Sequence, residues 1–128
     1  MHVKRKDYNS SIESYKKALS LQADNSNYHT GLGLVYQKIG QMPQAIGEYK
    51  KAVEIDPKNA KAFYAMGICY RTQGMLVSAE ENLKKVIEIS PSDKEAHFIL
   101  GDVYFEQQKL KEALYEYDRS IKIDDKYA

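Results

Sequence analysis

Apolar residues recur along this chain at helical spacing, in paired stretches divided by turn formers. Phe63, Met66, Gly67 and Tyr70 stand at i, i+3, i+4 and i+7, one face of an α-helix. Ala45, Tyr49, Ala52 and Val53 make a second such face. Between faces of these two kinds lie "IGQM" and "QGML", where Gly40 and Gly74 suit a left-handed helix C-cap. After the second kind come "EIDPKNAK" and "EISPSDKE". There Pro57 and Pro91 bar continuation of the preceding helix, and Asp56 and Ser90 form turns. The pattern predicts a helix A, a tight turn, a helix B and another tight turn.

That unit repeats. Written in rows of 34 residues, the chain aligns in columns without a gap. One column holds Ser11, Ala45, Ala79 and Ala113; another holds Tyr15, Tyr49, Leu83 and Tyr117. Ala18, Ala52, Val86 and Ser120 follow, and branched residues recur at Leu19, Val53, Ile87 and Ile121. In the first half of the row stand Leu32, Met66 and Leu100, then Gly33, Gly67 and Gly101, then Tyr36, Tyr70 and Tyr104. Glycine inside a helix costs about 1 kcal/mol relative to alanine. Its recurrence therefore marks a notch where a neighbouring helix comes close, with the tyrosine one turn on filling the wedge as the pair splays apart. On this reading Tyr70 is a buried anchor of the central repeat, and Tyr115 lies on an outer face.

These columns resemble the tetratricopeptide repeat, a 34-residue helix-turn-helix unit. The second row carries the pattern as Phe63, Met66-Gly67, Tyr70, Ala79, Leu83, Val86 and Pro91. The first reads His29, Leu32-Gly33, Tyr36, Ala45, Tyr49, Ala52 and Pro57; the third reads His97, Leu100-Gly101, Tyr104, Ala113, Tyr117, Ser120 and Asp125. The resemblance implies an all-α fold, a right-handed α-solenoid of antiparallel helix pairs with about seven helices. It divides a single array over residues 1–128 into a lone helix B at 7–25 and repeats at 26–59, 60–93 and 94–127. The departures are the two histidines in a column usually aromatic, Gln108 in place of the turn glycine, and Asp125 in place of proline. They weaken the match most at the third turn.

Composition narrows the function. Nineteen basic and eighteen acidic residues leave a net charge of +1, too small a field to argue for nucleic acid or an anionic membrane. No apolar run reaches the roughly 20 residues of a membrane-spanning helix, and "MHVKRK" leads into a polar segment, unlike a secretory signal. The single cysteine fits a reducing compartment, so the expected location is cytoplasmic. Catalytic motifs are lacking, so no enzyme activity and no cofactor are expected. His29 and His97 share a column, which suits helix-pair packing; no second ligand stands one turn away, so no metal is expected. Cys69 beside Tyr70 reads as a small buried thiol.

What remains is a binding surface. Offset from the core stripe of helix A by about 100° of rotation runs a second stripe. It holds Asn27, Thr30, Leu34 and Gln37, then Lys61, Tyr64, Ile68 and Arg71, then Glu95, Phe98, Asp102 and Phe105. By the resemblance, A helices line a concave groove, so these residues, with Lys38, face a protein or peptide partner. Leu34, Ile68 and Phe98 are equally suited to bridging neighbouring A helices. The family's carboxylate clamp of Lys and Asn is missing at Thr30, Leu34, Ala65, Glu95 and Ile99, and its asparagine ladder is missing at Gly31, Ala65 and Ile99. The groove is apolar and aromatic, with Lys38, Lys61 and Arg71 toward one end and Glu95, Asp102 and Glu106 toward the other. It suits a helix or extended peptide with a hydrophobic centre and its acidic part near repeats one and two. The other reading is structural. The chain opens in mid-repeat and closes at "DDKYA", where a further helix A would begin, so uncapped ends would associate with copies or position an attached domain.

Overall fold

The computed structural model describes residues 2–125, with the side chains of residues 7–123. Lys126, Tyr127 and Ala128, the start of the expected further helix, lie outside the described residues. Among the described residues seven helices run in order: α1 (His2–Leu21), α2 (Ser26–Lys38), α3 (Met42–Ile55), α4 (Ala60–Thr72), α5 (Leu76–Ile89), α6 (Lys94–Glu106) and α7 (Leu110–Asp125). Among the described residues there is no strand. The A helices α2, α4 and α6 start at Ser26, Ala60 and Lys94; the B helices α3, α5 and α7 start at Met42, Leu76 and Leu110. Two compact units divide the chain between Ala65 and Met66, inside α4. In the first, α2 packs on α1 and α3; in the second, α6 packs on α5 and α7.

Polar side chains at one recurring position start the A helices. Asn25 accepts from the Tyr28 amide, Asn59 from Ala62 and Asp93 from Ala96, each at 3.0 Å. Each bond satisfies an amide that the first turn leaves without a partner. Asn59 does more: its Nδ2 donates to Ser26 Oγ at 2.7 Å and Thr30 Oγ1 at 2.9 Å, joining the start of α4 to α2.

The A helices end in a shared left-handed turn. Gly40 and Gly74 have φ of 84° and 77°, and Gln108 adopts 64° in the same place. Gln41, Met75 and Lys109 donate back to Tyr36, Tyr70 and Tyr104, each at 2.8 Å, the long bond of a Schellman closure. The third turn therefore keeps its geometry without glycine, at a strain of about 1–2 kcal/mol. The B helices α3 and α5 stop at Ile55 and Ile89, ahead of Pro57 and Pro91. Asp56 also turns the chain by accepting from the Lys58 amide.

The three notches are filled from helix B. A Cβ on Gly33 would stand 2.5 Å from Tyr49 Cε1, on Gly67 2.9 Å from Leu83 Cγ, and on Gly101 2.7 Å from Tyr117 Cδ1. Tyr49 and Leu83 are fully buried, as are Ala45 and Ala79. The tyrosines one turn after the glycines hold a lesser place. Tyr104 is buried, but Tyr36 and Tyr70 are only half-buried, so the anchoring expected of Tyr70 belongs to Tyr49 and Leu83. Helix B supplies the larger side chain because helix A, notched by glycine, leaves the volume opposite it. Tyr115 is 61% exposed, on an outer face.

The two histidines tie helix A to helix B and to the turn before it. His29 Nδ1 meets Glu48 Oε1 at 2.7 Å, and its Nε2 meets the Ala23 carbonyl at 3.0 Å. His97 repeats the arrangement with Glu116 at 2.7 Å and the Pro91 carbonyl at 2.8 Å. The middle repeat has Phe63 and Asn82 at these positions, and Asn82 Nδ2 donates instead to the Ser78 carbonyl within its own helix, at 2.8 Å.

Candidate partner-binding surface

In the first unit the second stripe of helix A is only partly at the surface. Lys38 and Lys61 are exposed, whereas Leu34, Gln37 and Tyr64 are half-buried. Thr30 is withdrawn: it is 3% exposed, accepts from Asn59 and donates to the Ser26 carbonyl. It cannot offer its side chain to a partner, because Asn59, arriving ahead of α4, occupies it. Gln37 is committed too, since its Oε1 accepts from the Tyr49 hydroxyl at 2.6 Å.

The second unit brings several of the singled-out residues together. Arg71 of α4 grips Glu106 of α6 with two bonds, Nε to Oε1 at 3.1 Å and Nη2 to Oε2 at 2.9 Å. Its Nη2 lies 3.8 Å from Asp102 Oδ2. The hydrogen bond to Arg71 holds Glu106 below the usual carboxylate range, and the same bond raises the guanidinium. Asp102 Oδ1 accepts from the Tyr117 hydroxyl at 2.5 Å. Burial first, and then that bond to Asp102, push the phenol up to about 12, so Tyr117 remains a donor. The Tyr117 ring in turn backs Phe98, centroid to centroid 5.7 Å at a tilt of 50°. Ile68 is half-buried, and Phe98 and Phe105 are 49% and 60% exposed.

Tyr117 is the supporting residue that the repeat pattern hides, because it sits in a core column. The signal is its hydroxyl. Where the middle repeat has Leu83, the flanking repeats have Tyr49 and Tyr117, and a buried phenol needs a polar partner. Those partners are Gln37, four residues after Gly33, and Asp102, directly after Gly101.

Burial lifts the Cys69 thiol to about 11, leaving it a neutral core group. Among the described residues no group of three His, Cys, Asp or Glu side chains is placed to hold a metal ion, and no helix is long and apolar enough to cross a membrane.

Comparison with known proteins reaches the whole chain. A family model described as "TPR repeat" matches residues 1–40 and 38–74, and one described as "Tetratricopeptide repeat" matches residues 64–128. No curated protein matches in sequence. Among solved structures, a crystal structure of MamA superposes with a TM-score of 0.88 at 27% identity, covering 97% of this chain and 72% of that one. MamA 41-end from Desulfovibrio magneticus RS-1 gives 0.86 at 22% identity over 98% and 71% of the two chains, a likeness of fold. YrrB, described as a TPR protein with an unusual peptide-binding site, gives 0.82 at 26% identity over 98% and 65%.

Proposed function

The chain belongs to the tetratricopeptide repeat family, and from that premise we propose that its A helices capture a peptide or helix with an apolar centre. The fold is that of a protein–protein interaction scaffold, a family generally without enzymatic activity. One observation carries the finer reading: α6 turns two phenylalanines, Phe98 and Phe105, to solvent on a single face. Core duty does not explain them, since Leu100, Val103 and Tyr104 of the same helix are already buried. Exposed aromatics on a rigid helix are the usual anchors of a partner surface. YrrB, with its peptide-binding site, adds support by likeness. In the first unit the corresponding surface is Leu34 with Lys38 on α2 and Lys61 with Tyr64 on α4. Peptides selected from a displayed library against this chain should lose at least about tenfold in affinity on Phe98→Ala with Phe105→Ala. Helicity should not change. Equal binding by that double variant would refute the reading.

A second reading, association between copies, has its own observation in α7. Leu114 is 70% exposed, while Ile46, its counterpart in the first repeat, is 8% exposed; Leu110, Tyr115 and Ile121 are exposed as well. An apolar face of this kind is a typical assembly surface. Light scattering should then show association that Leu114→Glu abolishes; a monomer at every concentration would remove this reading.

A further inference from the structure

The polar groups on the exposed face of α6 are not equivalent, and their pairing specifies a ligand. Arg71 and Glu106 satisfy one another through two bonds. The guanidinium is thus closed to an incoming carboxylate, which shifts the polarity expected of the second repeat away from an acidic ligand. Asp102 is different. One oxygen accepts from Tyr117, while among the described residues the other has the Arg71 nitrogen as its charged neighbour, an ion-pair contact at 3.8 Å that is beyond hydrogen-bond reach. This carboxylate is 22% exposed and stands between Phe98, one turn before it, and Phe105, one turn after it. Glu95 lies one turn before Phe98 and is exposed. Along this face of α6, Arg71 is matched by Glu106, and the carboxylates of Asp102 and Glu95 stand beyond that pair, an arrangement that favours a cation between the phenylalanines.

From this arrangement we infer that α6 forms a slot for one basic side chain, a lysine or arginine of a bound peptide. The inference rests on the peptide-capture reading and names the partner's chemistry. The methylenes of the basic residue lie between the rings of Phe98 and Phe105, and its charged head donates to Asp102 Oδ2. Long cationic side chains suit such a place: their stems cover apolar surface, their heads bind carboxylate, and aromatic faces attract the charge. The slot is prepared in advance. Tyr117 fixes Asp102 by its hydroxyl and braces Phe98 with its ring, so little rotamer freedom remains to be lost on binding.

Three short fluorescein-labelled peptides, identical except for a central lysine, norleucine or glutamate flanked by leucines, test the slot by anisotropy. The lysine peptide should bind about five- to tenfold more tightly than the norleucine peptide at low salt, and the glutamate peptide most weakly. Raising the salt should narrow the gap. Asp102→Asn retains an oxygen for the Tyr117 hydroxyl but removes the charge. It should bring the lysine and norleucine affinities together while the norleucine affinity and helicity stay unchanged. Equal lysine and norleucine binding by the unmodified chain, persistence of the preference in Asp102→Asn, or binding of none of the three overturns the slot. If all three bind alike and Phe98→Ala weakens them alike, the slot falls and peptide capture stands. Failure of library peptides to sense the two phenylalanines would instead remove peptide capture itself.

Discussion

Gly33→Ala and Gly47→Ala are one chemical change made in two helices, and they should move stability in opposite directions. Alanine gains about 1 kcal/mol over glycine in a helix interior. Gly47 is exposed on α3, and an added Cβ there would meet nothing within 4 Å, so most of that gain is kept, about 0.5–1 kcal/mol. Gly33 is buried on α2, and its new Cβ would stand 2.5, 2.8 and 3.1 Å from Cε1, Cδ1 and Cζ of Tyr49. Carbon atoms settle at about 3.5–4.0 Å, so the ring must retreat by roughly 1 Å. It has nowhere to go, being fully buried and held at its hydroxyl by Gln37 at 2.6 Å. Overpacking of a filled core costs about 1–3 kcal/mol, and a shortfall of this size belongs at the top of that range. After the helical gain, Gly33→Ala should destabilise by about 2 kcal/mol, a gap of roughly 3 kcal/mol between the two variants. Urea unfolding followed by circular dichroism resolves that gap easily. Tyr49→Leu, which copies the Gly67–Leu83 pairing of the middle repeat, should reduce the penalty of Gly33→Ala when the two are combined. Were Gly33→Ala to stabilise as Gly47→Ala does, the close approach of α2 and α3 at the notch would be refuted.

Three other substitutions test the turns, the caps and the exposed ion pair. Gln108→Gly should stabilise by about 0.5–1 kcal/mol, since relief of the left-handed strain exceeds the added freedom of the unfolded chain; a lower urea midpoint would contradict the strained turn. Asn59→Ala should cost about 2–3 kcal/mol, because it removes a cap and two bonds withdrawn from solvent, whereas Asn25→Ala should cost about 1 kcal/mol for a cap and an exposed bond to Gln22; equal losses would count against the Ser26–Asn59–Thr30 cluster. Glu106 titrates below its unfolded value, so its pairing with Arg71 contributes fully above the ordinary carboxylate range and is lost as pH falls through the lowered value. With the Glu106 side chain 41% exposed, that contribution is at most about 1 kcal/mol, and the stability difference between the unmodified chain and Glu106→Gln should vanish in acid; a difference that grows in acid would reverse the assigned sign.

The fold is legible in the sequence because burial within a repeat is a local contract renewed every 34 residues. Gly33, Gly67 and Gly101 each face a side chain sixteen residues on, at Tyr49, Leu83 and Tyr117, so the pairing recurs with the period. The cap column of Asn25, Asn59 and Asp93 is just as regular, yet Asn and Asp between helices read first as turn formers, which conceals their bonds. The surface stripe obeys a different rule. Thr30, Tyr64 and Phe98 share one column and meet three fates: Thr30 is tied down by Asn59, Tyr64 is half-buried, and Phe98 stands half in solvent. Gln37, Arg71 and Phe105 share another, where the first is taken by Tyr49, the second by Glu106, and the third is 60% exposed. A helical wheel gives the direction of each side chain, but the partner that claims it comes from 12 to 35 residues away and differs between repeats. In each of these columns α6 carries the member that is most exposed, and that member is a phenylalanine. An aromatic side chain kept exposed where its own helix already fills the core is costly to leave in water, which is the physical reason for proposing the partner surface on α6.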